Sequence, residues 1–387
     1  MKEKCPGLWR QQLLARAAVA VVLTSPWASA GMADAHSIQL QAAPEGDLAQ
    51  SLNACIRALS PKGGICDGRN FGGKYEISTP VVINKPAVVV LLPVGEIRVA
   101  AAGYIAILAD GVVVEGGGTA GTVLVSGKGA VLQLGDSKTP VRRWRVTHLG
   151  LRASTAQEQS AGLILENARE GNISDVQVVG FNGQGAAGIR VGVNCWAVTL
   201  DNVYLTSNTT GLMFGGGNLN GWSVRGGYIN LNSVGISFDI GKGSAHGLVF
   251  GSSVIIENNR AAGLLFRSGR YYGITFSEFY GETPNQARFI DVTDASADLS
   301  IDMLTITRGY LQVQSDDAFR VVVSKTGSVR LSMENLVVEA RQPIKRVAWF
   351  DGSAVGAMLR EVEVLGMSEP GNQPFGVANR ARVTATQ

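Results

Sequence analysis

Two carboxylates and a guanidinium recur at a spacing that would bring them together in a repeating chain. Glu257 closes the run Val254-Ile-Ile, Glu282 follows Phe279-Tyr280 twenty-five residues later, and Arg308 follows Thr305-Ile-Thr another twenty-six on. Two carboxyls about 5–5.5 Å apart can cleave a glycosidic bond with retention, one as acid and the other as nucleophile. Like charges that close raise the pKa of one member. A neighbouring arginine can hold the other ionised or grip an acidic sugar through two parallel hydrogen bonds. Tyr204, Tyr228 and Tyr280 stand in or beside the same runs, and exposed aromatic rings suit sugars. The competing reading is a Glu-Glu-Arg surface ladder that only solubilises a sheet, since structural ion pairs also perturb pKa values.

Other chemistries find little support. His36, His148 and His246 stand at unrelated spacings and form no metal motif. There is no Gly-x-Ser-x-Gly elbow, phosphate loop or dinucleotide fingerprint, and Gly116-Gly-Gly118 and Gly215-Gly-Gly217 read as turns. No cofactor is expected; calcium enters only if the chain is a lyase. For that role Asp291, Asp294, Asp298 and Asp302 are spaced for one acidic face, but calcium needs six to eight convergent oxygens, so a solvated face is the plainer reading.

The elements that must position these side chains are short strands. Residues 47–59 carry one helical pattern, with Leu48, Leu52, Cys55, Ile56 and Leu59 on a single face, ended by Pro61 and Gly63-Gly64. Beyond it come short β-branched and aromatic runs punctuated by Gly and Asn. Val198-Thr-Leu200, Trp222-Ser-Val224, Leu248-Val-Phe250 and Ile274-Thr-Phe276 begin 24, 26 and 26 residues apart. A second signature keeps step with them: Gly188-Ile-Arg-Val191, Gly211-Leu-Met-Phe214, Gly235-Ile-Ser-Phe238 and Gly263-Leu-Leu-Phe266, the last three preceded by Asn208, Asn232 and Asn259. Leucine-rich repeats need a Leu-x-x-Leu-x-Leu frame, and propeller blades are longer. The period therefore predicts an all-β, single-stranded right-handed parallel β-helix with an N-terminal capping α-helix. Inward residues such as Leu200, Val224, Phe250 and Phe276 should stack as apolar ladders, and the turn asparagines as a hydrogen-bonded one. The helix would cover the first coil, whose edge otherwise invites aggregation.

The opening of this region, Asp47-Leu-Ala-Gln-Ser-Leu-Asn-Ala-Cys-Ile56, Gly63-Gly-Ile-Cys-Asp67 and Val90-Leu-Leu-Pro-Val-Gly-Glu-Ile97, resembles the pectate-lyase-like superfamily of right-handed β-helices. The resemblance implies a fold firmly and a function loosely, because lyases, glycoside hydrolases, phage depolymerases and binding proteins share it. Within it, Ala245-His246-Gly247-Leu-Val-Phe-Gly251-Ser252 is similar to the Gly-His-Gly-x-x-x-Gly-Ser motif of polygalacturonase-type hydrolases. That motif implies a catalytic His246. The paired aspartates expected one coil earlier are replaced by Val224-Arg-Gly-Gly227, and Arg267 and Arg270 do not form the expected basic motif. A histidine at a strand start is the plainer reading.

Residues 1–35 read as a signal peptide: Lys2, Lys4, Arg10 and Arg16, an apolar stretch over 17–23, then Ala28-Ser-Ala30, with Ala33-Asp-Ala35 as a second cleavage candidate. The stretch is short for a membrane span. Its removal leaves 30 basic against 29 acidic residues and no basic patch, which argues against nucleic acid as partner. In an oxidising compartment Cys55 and Cys66 pair across the helix-to-strand turn; in a reducing one they stay free thiols. Cys195 reads as a small buried apolar residue. The domain plan is thus a cap over 36–80, a β-helix over 81–367 and a polar tail over 368–387. The functional expectation is a secreted or periplasmic polysaccharide-active protein, a glycoside hydrolase or lyase that binds its glycan along the solenoid. The alternative is a non-catalytic glycan-binding, envelope or adhesion module.

Overall fold

The runs of alternating apolar residues wind into a right-handed parallel β-solenoid of about 12 turns, with one helix near its N-terminus. This computed structural model describes residues 37–41, 46–156, 158–293, 299–323, 327–352, 354–367, 374–378 and 382–386. Residues 1–35, read above as a signal peptide, lie outside them. Among the described residues no helix is long and apolar enough to cross a membrane.

Each coil contributes a strand to three parallel sheets, here A, B and C in chain order. The runs that set the period lie in sheet A, where Leu200 pairs with Val224, Val224 with Phe250 and Phe250 with Phe276. The glycine-led runs form sheet C, where Leu212 pairs with Ile236 and Ile236 with Leu264. All seven side chains are essentially buried, as the repeat predicts. Stacked rings tighten this core: Phe214 on Phe238 at 5.3 Å, Phe238 on Phe266 at 4.4 Å, and Phe250 on Phe276 at 4.4 Å. Burying one such ring contributes about 1.5–3 kcal/mol. Sheet B carries the shorter strands between them, including Tyr228–Asn230, Ile255–Glu257 and Tyr280–Glu282.

The corners follow from local chemistry. Between sheets A and B the chain bends through left-handed residues: Asn202 (φ 53°), Gly226 (58°) with Gly227 (79°), Ser252 (52°) with Ser253 (72°), Glu278 (53°), Arg308 (51°) and Asn335 (50°). Between B and C, Asn208, Asn232 and Asn259 point inward and are buried. The Nδ2 of Asn208 donates to Asn232 Oδ1 at 3.1 Å, and that of Asn232 to Asn259 Oδ1 at 3.0 Å. Each Nδ2 also donates to the carbonyl of a preceding strand, Val178, Leu205 or Ile229. Buried amides are tolerated here because these bonds satisfy them.

The cap is the helix α1, Leu48–Ala58, whose N-cap Asp47 accepts from the Gln50 N–H at 2.8 Å. Leu48, Leu52, Cys55 and Ile56 face the solenoid. Cys55 is bonded to Cys66 in the sheet-A strand Gly64–Asp67, with Cα atoms 5.9 Å apart, and Cys195 is buried and free. Strand pairing runs past the anticipated β-helix span at both ends. Gly64–Asp67 already pairs with Ser37–Gln39, and Phe375–Ala378 and Arg382–Thr386 pair within the presumed polar tail.

Candidate functional site

Sheet B presents two outward columns to solvent, separated by one inward residue per strand. One column pairs Gln177, Tyr204, Tyr228, Ile255, Tyr280, Tyr310 and Val337 in successive coils. The other pairs Val179, Thr206, Asn230, Glu257, Glu282, Gln312 and Glu339 through the same contacts. An aromatic row therefore runs along the solenoid axis beside a row of hydroxyl, amide and carboxylate groups. Gly281, between Tyr280 and Glu282, seats its strand on the core: a Cβ there would come within 2.7 Å of both Leu311 and Phe289.

Glu257 and Glu282 stand directly opposite each other on adjacent coils, and both are half-buried. The Tyr280 phenol donates to Glu282 at 3.1 Å and lies 3.2 Å from Gln312 Oε1. Gln312 Nε2 donates to the Tyr310 phenol oxygen at 3.3 Å, and the Tyr310 hydroxyl donates to Glu339. Arg341 closes the series 3.4 Å from Glu339. Burial first, and the hydrogen bond to the Glu339 carboxylate second, hold the Tyr310 phenol above its ordinary pKa. Tyr204 stacks on Tyr228 at 5.6 Å and Tyr280 on Tyr310 at 6.0 Å.

Arg308 does not join this row. It occupies the left-handed corner between sheets A and B, where its guanidinium meets Glu278, the same corner one coil earlier, at 3.3 Å. The residue in register with Glu282 is Gln312. The coil from Tyr280 to Tyr310 is longer than its neighbours, so a step of 26 residues from Glu282 lands before sheet B is reached. His246 is also elsewhere: it is exposed on sheet A, in register with Asn220 and Tyr272, and its ring stacks on Tyr272 at 4.5 Å. Of the four acids considered for calcium, Asp291 lies on sheet C against Arg288 and Asp302 on sheet A against Arg330. The two therefore stand on different sheets, and Asp294 and Asp298 fall outside the described residues.

Tyr310, Gln312, Glu339 and Arg341 escaped the sequence reading for the same reason as the Arg308 misplacement. A triplet of outward aromatic or aliphatic, inward apolar, outward polar would have found three of them: Tyr228-Ile-Asn230, Ile255-Ile-Glu257, Tyr280-Gly-Glu282, Tyr310-Leu-Gln312, Val337-Val-Glu339. Towards the N-terminus the same face holds two shallow grooves. One, of about 250 Å³, is lined by Val123, Gly150, Arg152 and Gln177; the other, of about 480 Å³, by Arg98, Val125, Lys128 and Ser154. Arg152 pairs there with Glu96.

No protein-family model matches the chain, and no curated protein matches it. Solved structures do. The A-module of a mannuronan C-5 epimerase from Azotobacter vinelandii superposes with a TM-score of 0.51 at 13% identity, over 89% of this chain and 96% of that one. A family 28 exopolygalacturonase of Yersinia enterocolitica gives 0.48 at 10%, over 90% and 78%. The surface protein and adhesin PfbA of Streptococcus pneumoniae gives 0.48 at 10%, over 90% and 99%. The likeness to the epimerase module shows the fold, a right-handed parallel β-helix.

Proposed function

We propose that this protein is an exported glycoside hydrolase that lays a polysaccharide lengthwise along sheet B and cleaves it between Glu257 and Glu282. The observation that carries the proposal is the paired column: an aromatic row beside a polar row, in register over coils that step at about 4.8 Å. A linear glycan offers alternating ring faces and hydroxyls at a comparable repeat. The same fold carries a mannuronan C-5 epimerase, so a glycan along a solenoid is within what this architecture supports. Tyr280 donates to Glu282, which orients that carboxylate. Glu282 is therefore assigned the nucleophile and Glu257 the proton donor, the division of labour of a retaining glycosidase. Export rests on the N-terminal basic and apolar segment with its small-residue cleavage site.

The test is a panel of polysaccharides followed both for new reducing ends and for the ultraviolet absorbance of unsaturated uronates. Reducing ends without that absorbance are expected. Both signals together would make the protein a lyase, and binding without either would make it a glycan-binding module.

A further inference from the structure

The polar row of sheet B turns cationic towards the N-terminus. From Glu257 its members run through Asn230, Thr206, Val179, Arg152, Val125 and Arg98 to Glu76. Arg98 and Arg152 thus stand on either side of Val125, two coils apart, about 9.6 Å at the ordinary strand spacing. The neighbouring row, which carries the tyrosines, passes from Tyr204 through Gln177 to Gly150, and the missing side chain opens the face into the smaller groove. The larger groove, of about 480 Å³, follows it, with Glu96, Arg98, Ala100, Val125, Lys128 and Ser154 in its wall. Arg98 comes from the strand Gly95–Val99 and Lys128 from the corner after Thr122–Ser126, so two separate elements supply its cations.

We infer that this groove is a subsite for an anionic substituent of the bound glycan, a sugar carboxylate or a sulfate half-ester, held by Arg98 and Lys128 above Val125. The inference rests on the glycan reading above and deepens it. The carboxylates present do not cancel the positive charge. Arg152 pairs with Glu96, and Arg98 lies 3.8 Å from Glu76 with 77% of its side chain exposed. Three cations, counting Lys128, therefore meet two carboxylates. Exposed pairs of this kind contribute little and are readily exchanged for a ligand. A guanidinium can then grip two oxygens of a carboxylate or sulfate through parallel N–H donors. Ala100 and Val125 give the sugar's carbon face an apolar floor. Val125 lies five coils from Glu257, about 24 Å along the axis. The groove therefore serves chains that run well past the carboxylate pair. Affinity that has levelled off over the tyrosines rises a second time when a substituted chain reaches Arg98.

The experiment uses Glu257→Gln protein, to prevent turnover, and calorimetric titration with chains matched in length. One set is oligogalacturonate, the same oligomer reduced at its carboxylates, and the reduced oligomer O-sulfated. The other is β-1,4-gluco-oligosaccharide, plain, oxidised to carboxylates at its primary alcohols, and O-sulfated. On a backbone that binds, a charged chain should bind at least about tenfold tighter than its uncharged counterpart, and the larger gain identifies the substituent as carboxylate or sulfate. Arg98→Gln and Lys128→Gln should each weaken the charged chain at least about fivefold and leave the uncharged one within about twofold. Glu76→Gln removes a competing acceptor and should raise affinity for the charged chain alone. Added salt should weaken the charged chain and spare the uncharged one, a readout that needs no further variant. Equal affinity for charged and uncharged chains, or charged-chain affinity unchanged in both Arg98→Gln and Lys128→Gln, overturns the subsite while leaving lengthwise binding intact. Failure of every chain to bind overturns the glycan reading and the subsite with it.

Discussion

Glu257→Gln and Glu282→Gln each remove a charge while keeping size and hydrogen-bonding capacity. Each is expected to lower glycan cleavage by at least about 100-fold, the lower end of what a positioned acid or base contributes, with melting temperature unchanged. Cleavage retained in both variants would place the chemistry elsewhere, leaving the row as a solvated charge ladder. Tyr310 offers a check that needs no substrate. Its folded pKa is raised, so the stability it confers is full below the pKa of an unfolded tyrosine, about 10, and is lost as pH rises beyond it. Ultraviolet titration should show one late-titrating phenol fewer in Tyr310→Phe than in the parent; loss of a phenol from the ordinary titration range instead would mean that burial and Glu339 do not act on this group. At this scale the sequence was half legible. Glu257, Glu282 and the tyrosines lie on strands of equal step and were placed together by counting. Arg308 was misplaced because one longer coil breaks the count.

The strands and corners carry most of the stability and were the most legible part. Phe250 could be placed inside from its spacing alone, because an inward residue recurs wherever a sheet-A strand does. Phe250→Asp puts an unpaired charge against Phe214, Phe238 and Phe276 and should destabilise by more than about 4 kcal/mol, read as loss of soluble folded protein. A folded Phe250→Asp variant would contradict the register. Asn232 links both neighbours in the buried ladder, so Asn232→Ala takes the acceptor from the buried Asn208 backbone N–H, the donor from the Leu205 carbonyl, and one bond each from the Asn208 and Asn259 amides. The expected cost is about 2–4 kcal/mol in chemical denaturation, and less than about 0.5 kcal/mol would mean water replaces the side chain. The Cys55–Cys66 pairing was legible from the short span between the residues; its geometry required both the helix and the strand Gly64–Asp67. The strands at the chain's far end, Phe375–Ala378 and Arg382–Thr386, were not legible, because runs of four or five residues carry too little pattern.

For the whole molecule, the solenoid turns local alternation into long axial rows, and those rows give sheet B its length. The face changes character along the axis, from Arg98, Arg152 and Lys128 beside the N-terminal grooves, through the tyrosines, to Glu257, Glu282 and Glu339. A period read from sequence reveals that such rows exist. Which of three outward faces holds which row depends on corner positions, and Arg308 falls in a corner rather than on sheet B for that reason. The account's central claim is that a glycan lies along sheet B, and binding as a function of chain length tests it most directly. With Glu257→Gln protein and an oligosaccharide ladder of a bound glycan, affinity should rise with length until the chain spans the four steps from Tyr204 to Tyr310, about 19 Å, and then level off. Tyr204→Ala should weaken long oligomers and leave the shortest ones unaffected. Equal affinity for the shortest and longest oligomers, or no effect of Tyr204→Ala on either, would contradict lengthwise binding on this face.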